Sequence, residues 1–216
     1  MSAQLDHLVV AASSLDEGVQ WCEATLGTTP GPGGRHPLMG THNRLLNIGD
    51  DAFPQVFLEI IAIDPMASAP GRARWFGLDT LDLATGPRLL HFVARCSALD
   101  ALSAKLRASG WELGATLAAS RDTPQGRLEW RINVRDDGQL IARGALPTLM
   151  DWGRTPHPTL SMPASGIRLR SLTLRGLEPG VEQALALPRV EIAATPGPAL
   201  SASLDTPRGR VTLVSG

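Results

Sequence analysis

The stretch LDHLVVAASSLDEGVQWCEATLG (5–27) lies over LLHFVARCSALDALSAKLRASG (89–110) with few breaks in pattern. His7 and His91 hold the same place, Leu15-Asp16 and Leu99-Asp100 keep that offset, and the closing glycines Gly27 and Gly110 agree to within one residue. A unit copied in this way restricts the chain to architectures in which equivalent units share a core. A third, weaker copy opens at LRSLTLRGLEPGVEQALAL, with Ser171 where the other two have histidine.

Each copy follows one grammar. A run of β-branched and large apolar residues makes a strand, and a Ser/Asp stretch then caps a helix, as in Ser14 to Glu17 and Ser97 to Asp100. Leu99, Leu102 and Leu106 recur at helical spacing, and Gly110 ends that helix. Shorter apolar runs follow. The first unit has 44–50 and 55–63, the second 111–118, 127–134 and 145–152, and the third RVEIAA, ALSASLD and RVTLVS with a turn at Pro207 to Gly209. The expectation is an α+β chain of βαβββ units. Units 1–65 and 84–155 form a paired domain (1–155), and a partial third unit occupies 166–216. Pro/Gly-rich linkers are expected at Met66 to Gly71 and Pro156 to Gly166.

Bulk properties exclude several classes. A 216-residue chain that is 43% hydrophobic and 19% charged is globular, and a net charge of −1 offers no electrostatic case for nucleic acid or an anionic membrane. No run approaches the roughly 20 apolar residues of a membrane span, and MSAQLDHLVV lacks the basic and apolar regions of a signal peptide, so a cytoplasmic location is expected. Cys22 and Cys96 lie in apolar surroundings without CxxC spacing and read as buried free thiols. Arginine supplies nearly all the basic charge, Lys105 being the single lysine, which fits a GC-rich bacterial genome. Tyrosine is absent, which removes tyrosyl acids, and no GxSxG motif supports nucleophilic hydrolysis.

The duplicated unit, the opening LDHLVV, the strand VFLEI and the stretch GGRHPLMGTHN (33–43) together resemble the glyoxalase-like group of the vicinal oxygen chelate superfamily, from about Leu5 to Trp152. The resemblance implies curled mixed sheets enclosing a cleft, with metal ligands on the first and last strands of each module. On this sequence those positions are His7, Glu59, His91 and, on the last strand of the second unit, Asp151. It implies a divalent cofactor (Zn, Ni, Mn or Fe) and a metal-dependent isomerase, lyase or dioxygenase acting on a small oxygenated metabolite. The alternative in the same fold is a metal-free protein that binds or sequesters a small molecule. The expected partner is a small-molecule ligand, and a homodimer is allowed.

The residue types suit that chemistry. Imidazole and carboxylate donors on strands converge with the rigidity a metal needs, and a carboxylate such as Glu59 can also shuttle a proton as the catalytic base. A carboxylate inside FLEIIAI requires a partner if buried. The competing reading for His7 is a hydrogen-bonded residue at a strand end. His36, Thr41, His42 and Asn43 follow glycines that allow close backbone approach, so a substrate-facing rim or a solvated hairpin loop is expected there, while GxGxxG and GxxxxGK[ST] are both absent. In the second unit Arg121 is a candidate anion contact and Trp130 a candidate flat wall.

Overall fold

The computed structural model describes residues 3–123, 126–178 and 180–216. Its first unit is β1 (Gln4–Ala11), α1 (Leu15–Leu26), β2 (Gly31–His36), β3 (Thr41–Asn47) and β4 (Phe57–Ile63). The second is β5 (Arg88–Arg95), α2 (Leu99–Ala108), β6 (Ala115–Thr123), β7 (Gly126–Val134) and β8 (Thr148–Asp151). The third is β9 (Arg168–Arg175), α3 (Val181–Leu185), β10 (Val190–Ala193), β11 (Leu200–Thr206) and β12 (Gly209–Val214). The fold is therefore α+β with the βαβββ order in all three units.

The first two units form one eight-stranded sheet in the order β2-β3-β4-β1-β5-β8-β7-β6. Each opening strand lies parallel to the closing strand of its own unit, and β1 and β5 meet antiparallel at the seam, where His7 faces Val93 and Val9 faces His91. The sheet curls until its edge strands β2 and β6 approach each other. Strand alternation then sorts the side chains. Leu8, Val10, Leu58, Ile60 and Phe92 enter the core covered by α1, α2 and the third unit. Val9, Ile61, Val93, Ile132 and Met150 pack on the other, concave face with Trp75 and Phe76.

The third unit departs from the others in its pairing. Its sheet runs β10-β9-β11-β12, so β9 lies parallel to the strand that follows its helix rather than to the last strand. The apolar side chains Leu169, Leu172, Leu174, Leu200, Ala202 and Leu204 complete the main core. The turn at Pro207-Arg208 joins β11 to β12.

Several local expectations need correction. The stretch 33–43, expected as a rim or a hairpin loop, is the end of β2, a tight turn and the start of β3, with Gly33 where a side chain cannot sit and Gly34 against Arg121. A Cβ on Gly33 would stand 2.1 Å from the Asn43 carbonyl oxygen, and one on Gly34 2.7 Å from the Arg121 guanidinium. Glycines carry no alternation, so this strand left no period-two signal. Strand β6 begins at Ala115 instead of Trp111, after Gly114 bends at φ 81°. The side chain of Ser14 caps α1 through the Glu17 amide, but α2 starts after Ala98 with no side-chain cap. Both cysteines are free; Cys22 is buried and Cys96 half-buried, and burial pushes the thiols up to about 12 and about 11. Among the described residues no helix is long and apolar enough to cross a membrane.

Candidate functional site

His7 sits on β1 with its ring stacked on Phe57 at a centroid distance of 4.4 Å. Its Nδ1 lies 2.6 Å from Asp6 Oδ1. Consecutive residues of a flat strand point to opposite faces, but the β1–β5 pairing is irregular between Leu5 and His7, and this bulge lets the neighbouring side chains meet. Asp6 is fully buried and accepts two further hydrogen bonds at Oδ2, from Trp152 Nε1 (2.8 Å) and His157 Nε2 (3.1 Å). Burial would raise its pKa, but the hydrogen bonds from His157 and His7 outweigh it and hold the carboxyl well below the usual carboxylate range. An ionised acceptor at Nδ1 makes that nitrogen the proton-bearing one. The exchangeable atom of His7 is then Nε2, which lies 3.6 Å from Glu59 Oε2.

Glu59 projects from the middle of β4 and is 5% exposed. Its Oε1 accepts a 2.6 Å hydrogen bond from Asn43 Nδ2 on β3. Asn43 Oδ1 accepts from the Gly34 amide (2.8 Å) and from Arg121 on β6 (3.0 Å). This last contact bridges the two ends of the curled sheet, so Arg121 enters the cleft only because the sheet nearly closes. Burial lowers the pKa of its guanidinium, and the charge of Glu59 raises it. Thr41 is buried, and its Oγ1 lies 3.0 Å from His36 Nδ1. His36 meets Trp75 and Trp130 edge to face, and burial, followed by the nearby charge of Arg121, pulls its pKa down to about 3. His36 is thus a neutral imidazole.

The cleft around these groups contains about 420 Å³ of space, including solvent at its mouth, and is walled by Phe57, Trp75, Phe76, Trp130, Met150 and Trp152. The indole Nε1 atoms of Trp75 and Trp130 are buried and have no hydrogen-bond partner among the described residues. An orphaned buried N–H costs about 1–3 kcal/mol. Trp75 and Trp130 line the cleft together with Arg121.

The structure brings together His7, Glu59, His36, Thr41, Asn43, Arg121 and Trp130, but not all four expected metal donors. His91 lies in a separate pocket with Gln139 and Thr148. Its Nδ1 donates to the Gly144 carbonyl (2.9 Å), and its Nε2 accepts from the Thr148 amide (3.0 Å), so neither nitrogen is open. Burial lowers its pKa to about 3. Asp151 sits half-exposed at the end of β8, with Oδ1 taken by the Gly153 amide. Among the described residues no three His, Cys, Asp or Glu side chains are placed to hold a metal. A four-ligand ion does not fit this arrangement, because the second unit faces the cleft with Trp130, Ile132 and Met150.

Sequence reasoning missed Asp6, Trp75, Trp152 and His157. Asp6 was visible beside His7, but a regular strand would have turned it away. His157 lies in the linker after the second unit, where no periodicity marks it.

No curated protein matches the sequence. A hypothetical protein from Staphylococcus aureus shares the fold at TM-score 0.60 and 13% identity, over 99% of this chain and 86% of that one. Weaker likeness extends to a methylmalonyl-CoA epimerase from Streptomyces coelicolor (TM-score 0.46, 17% identity, 73% of this chain and 100% of that one). The epimerase from Mycobacterium tuberculosis is similar at TM-score 0.41 and 21% identity, over 73% of this chain and 90% of that one. Residues 5–190 match the family described as Glyoxalase-like domain, and with its paired βαβββ units the chain belongs to this family of the vicinal oxygen chelate fold.

Proposed function

We propose that this protein is an enzyme that moves a proton on a small oxygenated acid, using Glu59 and His7. The observation that carries the reading is the buried pair itself. Glu59 Oε2 and His7 Nε2 stand 3.6 Å apart in an aromatic-walled cleft, with Asp6 behind the imidazole and Asn43 behind the carboxylate. Glu59 takes the proton from the carbon next to a carboxyl or carbonyl group. The electron pair left behind moves onto that group's oxygen, where Arg121 and the free indole N–H groups oppose the new charge. His7 Nε2 relays the proton to or from the substrate, with Asp6 fixing the ring's tautomer and balancing an imidazolium. Isomerase and lyase chemistry both begin with this step, and neither needs the four-ligand metal set.

The test is exchange in heavy water. Small 2-hydroxy and 2-oxo acids and their esters are incubated with the full chain, and loss of the Cα–H signal is followed by NMR. Exchange that falls about 10²–10⁴-fold in Glu59→Gln supports the reading. A second reading is a binder that sequesters a flat anion, favoured by the five aromatic walls Phe57, Trp75, Phe76, Trp130 and Trp152. Ligand that binds wild type and Glu59→Gln alike, with no exchange in either, decides for the binder.

A further inference from the structure

Beside the cleft runs a larger groove, with about 1470 Å³ of space open to solvent. Arg121 and Pro158 line both, so the two adjoin at these residues. One wall is the segment 156–165, which leads to the third unit and is pinned at both ends. His157 is bonded to Asp6; Ser165 bonds through its hydroxyl to the Asn47 carbonyl and through its own carbonyl to Thr28 Oγ1 (3.1 Å). Between these anchors the chain makes a 3-10 turn over Pro158–Leu160, is stiffened by Pro158 and Pro163, and displays Leu160 at 68% exposure. Leu45 and Leu128 form part of the opposite wall.

The two spaces differ in chemistry. Five of the cleft's walls are Trp or Phe rings grouped around one acid–base pair, whereas the groove is lined by leucyl, prolyl and methionyl side chains interspersed with threonines, serines and His157, with no Phe, Trp, Asp or Glu among the described residues. Its other cation, Arg127, is paired with Glu129 at 3.1 Å. Only Arg121, at the junction, lacks a carboxylate within ion-pair distance among the described residues and can hold a charged head.

We infer that the substrate is amphipathic, an anionic oxygenated head in the cleft joined to an aliphatic chain that lies in the groove against residues 158–163. The inference rests on the proposed head site. Leucyl, prolyl and methionyl surfaces suit a flexible hydrocarbon, and the absence of carboxylates from the groove's described lining leaves nothing there to repel the head as it passes to Arg121. Leu160 and the third-unit linker would then set chain-length preference.

The test is calorimetric titration of the full chain with butanoate, hexanoate, octanoate and decanoate. Affinity is expected to rise with length by about fourfold per methylene until the groove is filled. In Met162→Glu, and independently in Leu160→Asp, that rise should vanish while butanoate binds as in wild type, which also reports that each variant has folded. Affinity that is flat with length in wild type overturns the groove and leaves the head site standing. So does a rise untouched by both variants. If no acid binds at any length, the head site fails instead, and the groove is read with the matching 1-alkanols: binding that grows with length and is lost in both variants upholds it, and no binding overturns it.

Discussion

Asp6 and His7 are neighbours on one strand, yet Asp6 Oδ1 lies 2.6 Å from His7 Nδ1, because the β1–β5 pairing slips by a residue at this point. The same carboxylate gathers Trp152 and His157, so the imidazole is held from behind by a buried anion with three donors. Asp6→Asn keeps the shape but removes the charge. Stability should fall by about 1.5–3 kcal/mol, the scale of a hydrogen bond to a charged group, and exchange by more than tenfold. Urea unfolding and the NMR exchange rate measure the two. A variant that exchanges at the wild-type rate would remove Asp6 from the mechanism.

The two glycines of β2 should respond differently to alanine. At Gly33 the new methyl meets the Asn43 backbone, which cannot move without parting β2 from β3, so the cost should exceed the usual 1–3 kcal/mol of overpacking. At Gly34 it meets the flexible end of Arg121. Gly34→Ala should therefore fold nearly as well as wild type but lose acid binding as Arg121 leaves Asn43. Thermal melts and carboxylate titrations of both variants check this, and equal stabilities would contradict it.

His91 should matter for folding and not for the site. His91→Ala leaves the Gly144 carbonyl and the Thr148 amide unpaired and opens a cavity, at a cost of about 2–4 kcal/mol. Exchange at 15 °C, where the variant stays folded, should match wild type, and any binding of added Zn or Ni should be equal in the two proteins. Loss of metal affinity in His91→Ala would restore His91 as a ligand.

Trp130→Phe removes an indole N–H that has no partner among the described residues. Stability in the absence of ligand should stay level or rise by about 1 kcal/mol, while carboxylate affinity drops about tenfold because an anion loses a donor. Opposite movement of the two quantities is the signature. A variant that loses stability and keeps affinity would place the indole in the structure alone.

Acid should weaken the fold before most carboxylates titrate. His36 and His91 both have folded pKa values near 3, against about 6.5 in an unfolded chain. Between those values the unfolded state binds more protons, so stability falls as pH drops from about 6.5 toward 3, by on the order of 1 kcal/mol per pH unit for each group. Urea midpoints across that window should slope less in His36→Asn than in wild type. Parallel slopes would mean that His36 is not buried as the neutral form.

The repeat was readable because it is local: apolar runs, the Ser14 cap, the Gly27 stop and the offset of His7 and His91 each depend on neighbours in sequence. The same locality placed Glu59 in the middle of a buried strand and marked Arg121 and Trp130 as candidates. What the linear order could not carry was the meeting of distant strands. Arg121 reaches Asn43 because the sheet curls far enough for β6 to approach β2, and His157 reaches Asp6 because the third-unit linker folds back over β1. Repeat register made His7 and His91 look equivalent, but the side chains around them differ. Glu59 stands opposite His7, whereas Thr148 and the Gly144 carbonyl occupy both nitrogens of His91. Sequence period determines which face a residue joins, and only tertiary packing decides which atoms it meets there, since hydrogen bonding is settled over a few ångströms between segments a hundred residues apart.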